Sequence, residues 1–364
     1  MARIGILTMQ LKENIGGILQ AYALYSLVEQ MGHTPYLFRL SVDDSKLKGI
    51  VRSLFQKNPF YKILDVKKLG NRFQNSRSLR DFVDKAFPNK TKEVISQEDF
   101  EIIGNQFDAI IVGSDQVWRY AYTRDDIEKY FLKGIDDHVT KIAYAASFGV
   151  SEWESQDNML NERLSQLLSD FDFVSVREQS GLHILESTFG YSEGVVCLDP
   201  TLLHDSLFYS DIIVQDICNS KQSIRNDYLF AYILDLSEEK IEWINDYAKK
   251  RSLVPIFASI PAHLNSLAPF EWIQFIRGAK YILTDSFHGA VFSILFKKPF
   301  TATLNMSRGS TRFENLFSYV GNKRYVEHSY IEVIPSEADL KNIRLLAVES
   351  KELLSKHLSN IIKK

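Results

Sequence analysis

The chain has 364 residues, of which 45% are hydrophobic and 24% charged, fractions that exclude a disordered or fibrous polypeptide. Its length suggests two domains, each large enough to bury a core without disulfide or metal staples. With 43 basic and 46 acidic residues the formal charge is -3, which speaks against a nucleic-acid binder.

In chain order, a short apolar run at Ile4–Met9 reads as a strand. A polar loop from Gln10 to Gly17 follows, then a helix from Ile18 to Met31 with Leu19, Tyr22, Ala23 and Leu27 at helical spacing. Gly32 is a stop signal, and a second strand is expected over Thr34–Leu40. Residues 46–92 carry 13 Lys or Arg against three Asp, interleaved with apolar side chains, and read as a basic insertion of short amphipathic helices. Such a stretch is either a solvated helical face or a surface for an anionic polymer or for anionic lipid at the inner membrane face.

Strands resume at Asp108–Val112, Lys141–Ser147, Phe171–Val176 and Val195–Leu198, separated by helical spacers. Runs that are apolar on both faces indicate a parallel sheet covered by helices. Residues 205–224 lack a strong period and are expected to be a linker. A second series then begins. Strands are expected at Tyr228–Leu234, Val254–Ala258, Tyr281–Thr284 and Phe300–Leu304, and helices at Glu238–Arg251, Phe270–Gly278, Ala290–Lys297 and Thr311–Val320. A long last helix, about Ser336 to Ile362, has no strand after it and is expected to pack back across both domains. The division is therefore 1–204 with the insertion, linker 205–224, a second α/β domain over 225–335, and a C-terminal helix over 336–364.

Two cysteines, Cys197 and Cys218, are too few and too far apart for a zinc site or disulfide framework, and Cys197 reads as a small buried hydrophobe. The N-terminal apolar stretch stops too early for a signal-peptide core, and no run approaches the ~20 apolar residues of a membrane helix. The expectation is a cytoplasmic protein, in peripheral contact with a membrane at most.

In doubly wound sheets, ligands sit at the carboxyl ends of the strands. That rule selects the loops 10–17, 113–119, 147–149, 177–181, 199–201, 285–289 and 305–312. Asn14, Gly16 and Gly17 form either a tight turn or an anion cradle at a helix N-terminus. Asp285, Ser286, Phe287 and His288 lie where a strand meets a helix. The imidazole there either transfers protons near neutral pH or caps the helix. Arg308 and Arg312 are four apart and suit a carboxylate or phosphate, or a salt bridge with Glu314. Arg177 offers the same chemistry, or pairs with Glu178 or Asp172. Asp115 is either a base for a sugar hydroxyl or a helix cap, and Trp118 either stacks on a sugar ring or fills the core. No metal-ligand cluster is visible in the sequence.

Taken together and in order, GILTMQLKENIGGILQAYAL, DAIIVGSDQVW, KIAYAASFG, VSVREQSG, LDPTLL, LTDSFHGAVFSILFKKPF and RGSTRFENLF resemble the polysaccharide pyruvyl transferase family. The resemblance runs from Gly5 to about Phe317, and the GSDQVW and TDSFHG blocks carry most of it. It implies an α/β fold of the glycosyltransferase-B type, two Rossmann-like domains facing a cleft. It also implies transfer of pyruvate from phosphoenolpyruvate to a sugar of a cell-surface polysaccharide or its precursor, lipid-linked or free, as a cyclic ketal with release of phosphate. The resemblance makes His288 essential and puts Arg177 and Asp115 in the phosphoenolpyruvate pocket. Some members carry Arg two places before that His where this chain has Ser286, so a second cation is expected from Arg308 or Arg312.

That chemistry suits the residues on its own terms. Phosphoenolpyruvate needs cations and N–H donors for its two anionic ends, an acid for its methylene carbon and a base for the acceptor hydroxyls. His288 is the expected acid. Asp115, Asp285, or His288 after giving up its proton is the expected base. No step calls for a cofactor or metal. A nucleotide-sugar glycosyltransferase and a non-catalytic saccharide- or anion-binding protein are the competing readings.

Overall fold

The computed structural model describes residues 1–11, 14–41, 79–216, 227–258, 267–303, 311–327 and 330–361. Arg308, Cys218, residues 46–78 of the basic insertion and residues 217–224 of the expected linker lie outside the described residues.

The N-terminal half is a seven-stranded sheet in the order β3-β2-β1-β4-β5-β6-β7. Its strands are β1 (Arg3–Leu7), β2 (Thr34–Leu40), β3 (Lys90–Val94), β4 (Ala109–Gly113), β5 (Thr140–Ala146), β6 (Phe173–Val176) and β7 (Val195–Val196). Every pairing is parallel. Helices α1 (Ile15–Gln30), α2 (79–86), α3 (Gln97–Gly104), α4 (Asn158–Ser169) and α5 (Gln179–Phe189) connect them. Strand β3 falls at the end of the stretch expected to be helical. Among the described residues it pairs on one side only, so it can keep its lysines in water as an edge strand does, and that disguises it in sequence.

The expected linker begins instead as helix α6 (Ser206–Asp216), which drives Tyr209 fully into the core. The C-terminal half is a six-stranded sheet, β12-β13-β11-β10-β8-β9. Strands β8 (Tyr228–Tyr232), β9 (Val254–Phe257), β10 (Tyr281–Thr284) and β11 (Phe300–Thr303) are parallel. An unexpected hairpin, β12 (Lys323–Glu327) and β13 (Tyr330–Val333), adds two antiparallel strands at the edge. The helices are α7 (Glu238–Lys250), α8 (Pro269–Gly278), α9 (Phe287–Leu295) and α10 (Thr311–Ser318).

Both halves share one apolar core. Ile4, Leu24 and Ile111 belong to the same buried cluster as Tyr209, Phe292, Phe317 and Leu354. Each sheet also has an outer core of its own, built on Trp118 and Phe131 in one half and on Leu229 and Ile244 in the other. The last helix, α11 (Glu337–Asn360), starts at a capping box on Ser336 and bolts the halves together. Its Asp339 accepts from Gly321 N–H at 2.8 Å in one half. Its Ser350 Oγ accepts from Leu198 N–H at 3.1 Å in the other, and His357 stacks on Phe173. Among the described residues no helix is long and apolar enough to cross a membrane.

Candidate active site

The first turns of four helices meet where the halves touch. Gly16 in the first turn of α1 lies against the imidazole of His288 in the first turn of α9. Phe287, the residue before that His, receives two guanidiniums. The Cζ of Arg177, just ahead of α5, is 4.6 Å from its ring centroid, and that of Arg312, the second residue of α10, is 5.7 Å away. Asn315 of α10 donates to the carbonyl of Arg177 at 2.9 Å and closes the ring of contacts. Helix amino ends carry unsatisfied N–H groups and positive potential, so four of them at one place favour an anion.

Arg177 and Arg312 are both buried. Arg177 donates from Nη1 to Asp199 Oδ2 at 2.6 Å, and its Nε lies 3.8 Å from Glu178 Oε2. Burial works against its charge, but Asp199 and Glu178 outweigh burial and raise its pKa. Arg312 has the opposite balance. Burial and then the charge of Arg177 push it down to about 10, against the pull of Asp115 and Glu178, so it remains a cation at neutral pH. Among the described residues, Arg177 Nη2, Ser180 Oγ, Thr303 Oγ1 and Thr311 Oγ1 are buried without hydrogen-bond partners. These atoms lie at strand ends and helix starts. Buried polar groups are normally paired, so unpaired donors at the starts of α5 and α10 and beside Asp199 suit a bound anion.

Asp199 is the hub of this network, and sequence reasoning named only its loop. The side chain is buried to 1% exposure. Oδ1 accepts from the N–H and hydroxyl of Thr201 at 2.9 and 2.6 Å. Oδ2 accepts from Arg177 and from Ser114 Oγ at 3.2 Å, and His288 Nε2 lies 3.5 Å away. Burial would raise its carboxyl, but the charges of His288 and Arg177 and the Thr201 hydrogen bond win and hold it well below the usual carboxylate range. Glu178, weighed from sequence only as a partner of Arg177, does more. Its Oε1 accepts from Ser147 Oγ, Phe148 N–H and Gly149 N–H at 2.8 to 3.1 Å, which fixes the loop after β5.

Gly16 and Gly17 belong to the first turn of α1 rather than to the loop before it. A Cβ at Gly16 would overlap the imidazole of His288. A Cβ at Gly17 would stand 3.1 Å from Asp115 Oδ2 and 3.0 Å from Asn14 Nδ2. His288 and Asp115 therefore face consecutive residues of one helical turn. Asp115 has a positive φ of 59°, and its Oδ1 accepts from Gln116 N–H at 2.9 Å. Asn14 is the exposed N-cap of α1 and makes no side-chain capping bond, which leaves its amide at the cleft.

Three expected site residues have other duties. Asp285 accepts from Leu234 N–H at 2.6 Å and Asp235 N–H at 3.2 Å, so backbone occupies both oxygens and the carboxylate is poorly placed as a base. Ser286 is the N-cap of α9, its Oγ accepting from Gly289 N–H at 3.4 Å. Trp118 is fully buried, donates to Tyr130 O at 3.0 Å and stacks on Phe131, so no sugar ring reaches it. Gln20, in the middle of an apolar helix, was missed. It donates to Thr8 Oγ1 and Gly17 O and accepts from Ser114 N–H, tying β1, α1 and β4 together. A lone amide within ILQAYAL is the sequence signal for such a tie.

A profile of the polysaccharide pyruvyl transferase family matches residues 14–305, which include every described residue of this centre except Arg312, Thr311 and Asn315. The chain belongs to the polysaccharide pyruvyl transferase family. No curated protein matches the sequence. Solved structures share the fold at low identity. The UDP-GlcNAc 2-epimerase of Methanocaldococcus jannaschii, in complex with UDP-GlcNAc and UDP, has a TM-score of 0.53 at 14% identity, covering 99% of each chain. S. aureus MnaA with UDP gives 0.52 at 13%, covering 100% of this chain and 97% of that one. The Neisseria meningitidis UDP-GlcNAc 2-epimerase bound to UDP-GlcNAc gives 0.50 at 11%, covering 99% and 94%. The pyruvyl transferase architecture here is thus of the glycosyltransferase-B type.

Proposed function

We propose that this pyruvyl transferase takes phosphoenolpyruvate as donor and builds a pyruvate ketal on two hydroxyls of a saccharide, a constituent of a cell-surface polysaccharide or its precursor. One observation carries the reading. Two buried guanidiniums from opposite halves, Arg177 and Arg312, flank the ring of Phe287, and the neighbouring residue is the imidazole of His288. Phosphoenolpyruvate has two anionic ends and, between them, a carbon that must be protonated. The guanidiniums and the helix amino ends match the first requirement, and His288 matches the second.

The reaction then runs as follows. His288 gives a proton to the methylene carbon, whose double-bond electrons take it up and leave C2 electron-poor. The first sugar hydroxyl adds its oxygen to C2 and loses its proton to Asp115. Asp115 suits that role because one of its oxygens lies beside Gly17 and Asn14 at the start of α1. The C2–O bond to phosphate breaks with its electron pair going to the phosphate oxygen, which takes up the proton held by Asp115, and the resulting dianion stays on the guanidiniums. The second hydroxyl adds and releases its proton, closing the ketal. One of the two hydroxyl protons replaces the one given to carbon, and the other leaves with phosphate.

Calorimetric titration with phosphoenolpyruvate, against a panel of uridine nucleotide-sugars, tests the donor. Saturable binding of phosphoenolpyruvate that is retained in His288→Ala and lost in Arg312→Ala is expected, with circular dichroism reporting the fold of each variant. Tight nucleotide binding with no response to phosphoenolpyruvate would overturn this reading in favour of a nucleotide-sugar glycosyltransferase.

A further inference from the structure

The two ring nitrogens of His288 have different surroundings. Nε2 is sealed from solvent, has no hydrogen-bond partner among the described residues, and lies 3.5 Å from Asp199 Oδ2. Nδ1 lies over the bare Cα of Gly16, where any side chain would overlap the ring. His288 is 4% exposed and its ring is edge-on to Phe287. Among the described residues, Asp199 lies against it, Arg177 is bonded to the same carboxylate oxygen, and Asp115 faces the next residue of the α1 turn.

Asp199 is held independently of His288. Its other oxygen is saturated by Thr201, at the 3-10 turn that begins at Pro200. Oδ2 is therefore a fixed point shared by the guanidinium from one half and the imidazole from the other. A carboxylate on one nitrogen of an imidazole fixes the ring's tautomer and orientation and stabilises its protonated form.

Resting on the donor chemistry proposed above, we infer that Asp199 is a positioning residue. It retains the proton on Nε2, so that Nδ1 is the nitrogen that delivers a proton to the methylene carbon, and it sets the distance between that nitrogen and Arg177. In the step itself the Nδ1–H bond breaks, the C–H bond forms from the double-bond electrons, and the imidazolium becomes a neutral ring still protonated on Nε2. Gly16 is required because Nδ1 works against naked backbone.

Nitrogen-15 spectra of the wild-type histidines, with His288 assigned by comparison with His288→Ala, test this without substrate. The neutral ring is expected as the Nε2–H tautomer, while Asp199→Asn mixes the two tautomers. In turnover, Asp199→Asn is expected to lower kcat by about 10²- to 10³-fold and to change the KM for phosphoenolpyruvate by less than about tenfold. Thr201→Val, which removes one hydrogen bond to Asp199, is expected to lower kcat by less than about tenfold. A wild-type ring found as the Nδ1–H tautomer overturns the inference, as does an Asp199→Asn protein with unchanged kcat. Failure of phosphoenolpyruvate to bind the wild type would instead overturn the donor reading, and the spectra distinguish the two failures.

Discussion

Both sheets reverse their strand order at a crevice, between β1 and β4 in one half and between β8 and β10 in the other. Such crevices are where ligands of this fold class bind. In this protein each crevice is laced by a side chain. Gln20 ties Thr8 to Ser114 in the N-terminal half, and Asp285 ties the end of β10 to Leu234 and Asp235 in the C-terminal half. The difference is one of charge. The N-terminal half uses a neutral amide for this task and leaves Asp115, Asp199 and Glu178 to face cations or the cleft. The C-terminal half uses its carboxylate on backbone N–H groups. Its nearest cation, Lys240, stands 3.7 Å off and a third exposed. Polar chemistry has thus moved from the two crevices to the seam between the halves.

Removing the cation beside each aspartate breaks that contrast most sharply. Arg177→Ala strands a fully buried carboxylate at Asp199 and is expected to cost about 3–5 kcal/mol in urea unfolding. Lys240→Ala, at the edge of solvent beside Asp285, is expected to cost less than about 1 kcal/mol. Equal losses would mean that the two aspartates are equivalent after all.

The connection that leaves Asp199 ends on His204, and pH reads its burial. His204 Nε2–H donates to Ala23 O at 2.9 Å, and burial pushes its pKa down to about 4. The folded ring stays neutral while the unfolded one takes a proton near 6.5. Its contribution is therefore complete above about pH 6.5 and is lost as pH falls toward 4, roughly 3 kcal/mol over that window. Urea midpoints at pH 7, 5.5 and 4.5 should fall in the wild type and fall less in His204→Gln.

A smaller effect sharpens the contrast from the other side. Asp285→Ala leaves the N–H groups of Leu234 and Asp235 unpaired and is expected to cost about 1–3 kcal/mol. The folded fraction should bind phosphoenolpyruvate as the wild type does. Lost turnover with unchanged stability would return Asp285 to the chemistry, where the sequence had placed it as a base.

Much of the framework was legible before any coordinates. Apolar runs at Ala109–Gly113 and Thr140–Ala146 are buried on both faces and read as parallel strands, and the helix expected over Glu238–Arg251 forms over Glu238–Lys250. The boundaries of α1 and α9 were not legible. Gly16, Gly17 and Gly289 are poor helix formers, so in sequence the first turns read as loops, yet packing of α1 against α9 pays their intrinsic cost. The edge strands β3 and β12 carry lysine and arginine, because one side of each meets water. Among site residues, Arg177, Arg312, His288, Asp115 and the glycine pair meet at the seam. Asp285, Ser286 and Trp118 share the same loops but are consumed by backbone, cap and core.

The sequence by itself determined most of the order of elements, the two α/β series, the family, and the short set of strand-end loops where chemistry could lie, because periodicity and motif order are local; the edge strands β3, β12 and β13 and helix α6 escaped it. Only the tertiary structure decided which polar side chains in those loops close a crevice and which face the seam. A buried polar group must find a partner, and its partner is set by neighbours distant in sequence, as Asp199 between Arg177 and His288 demonstrates.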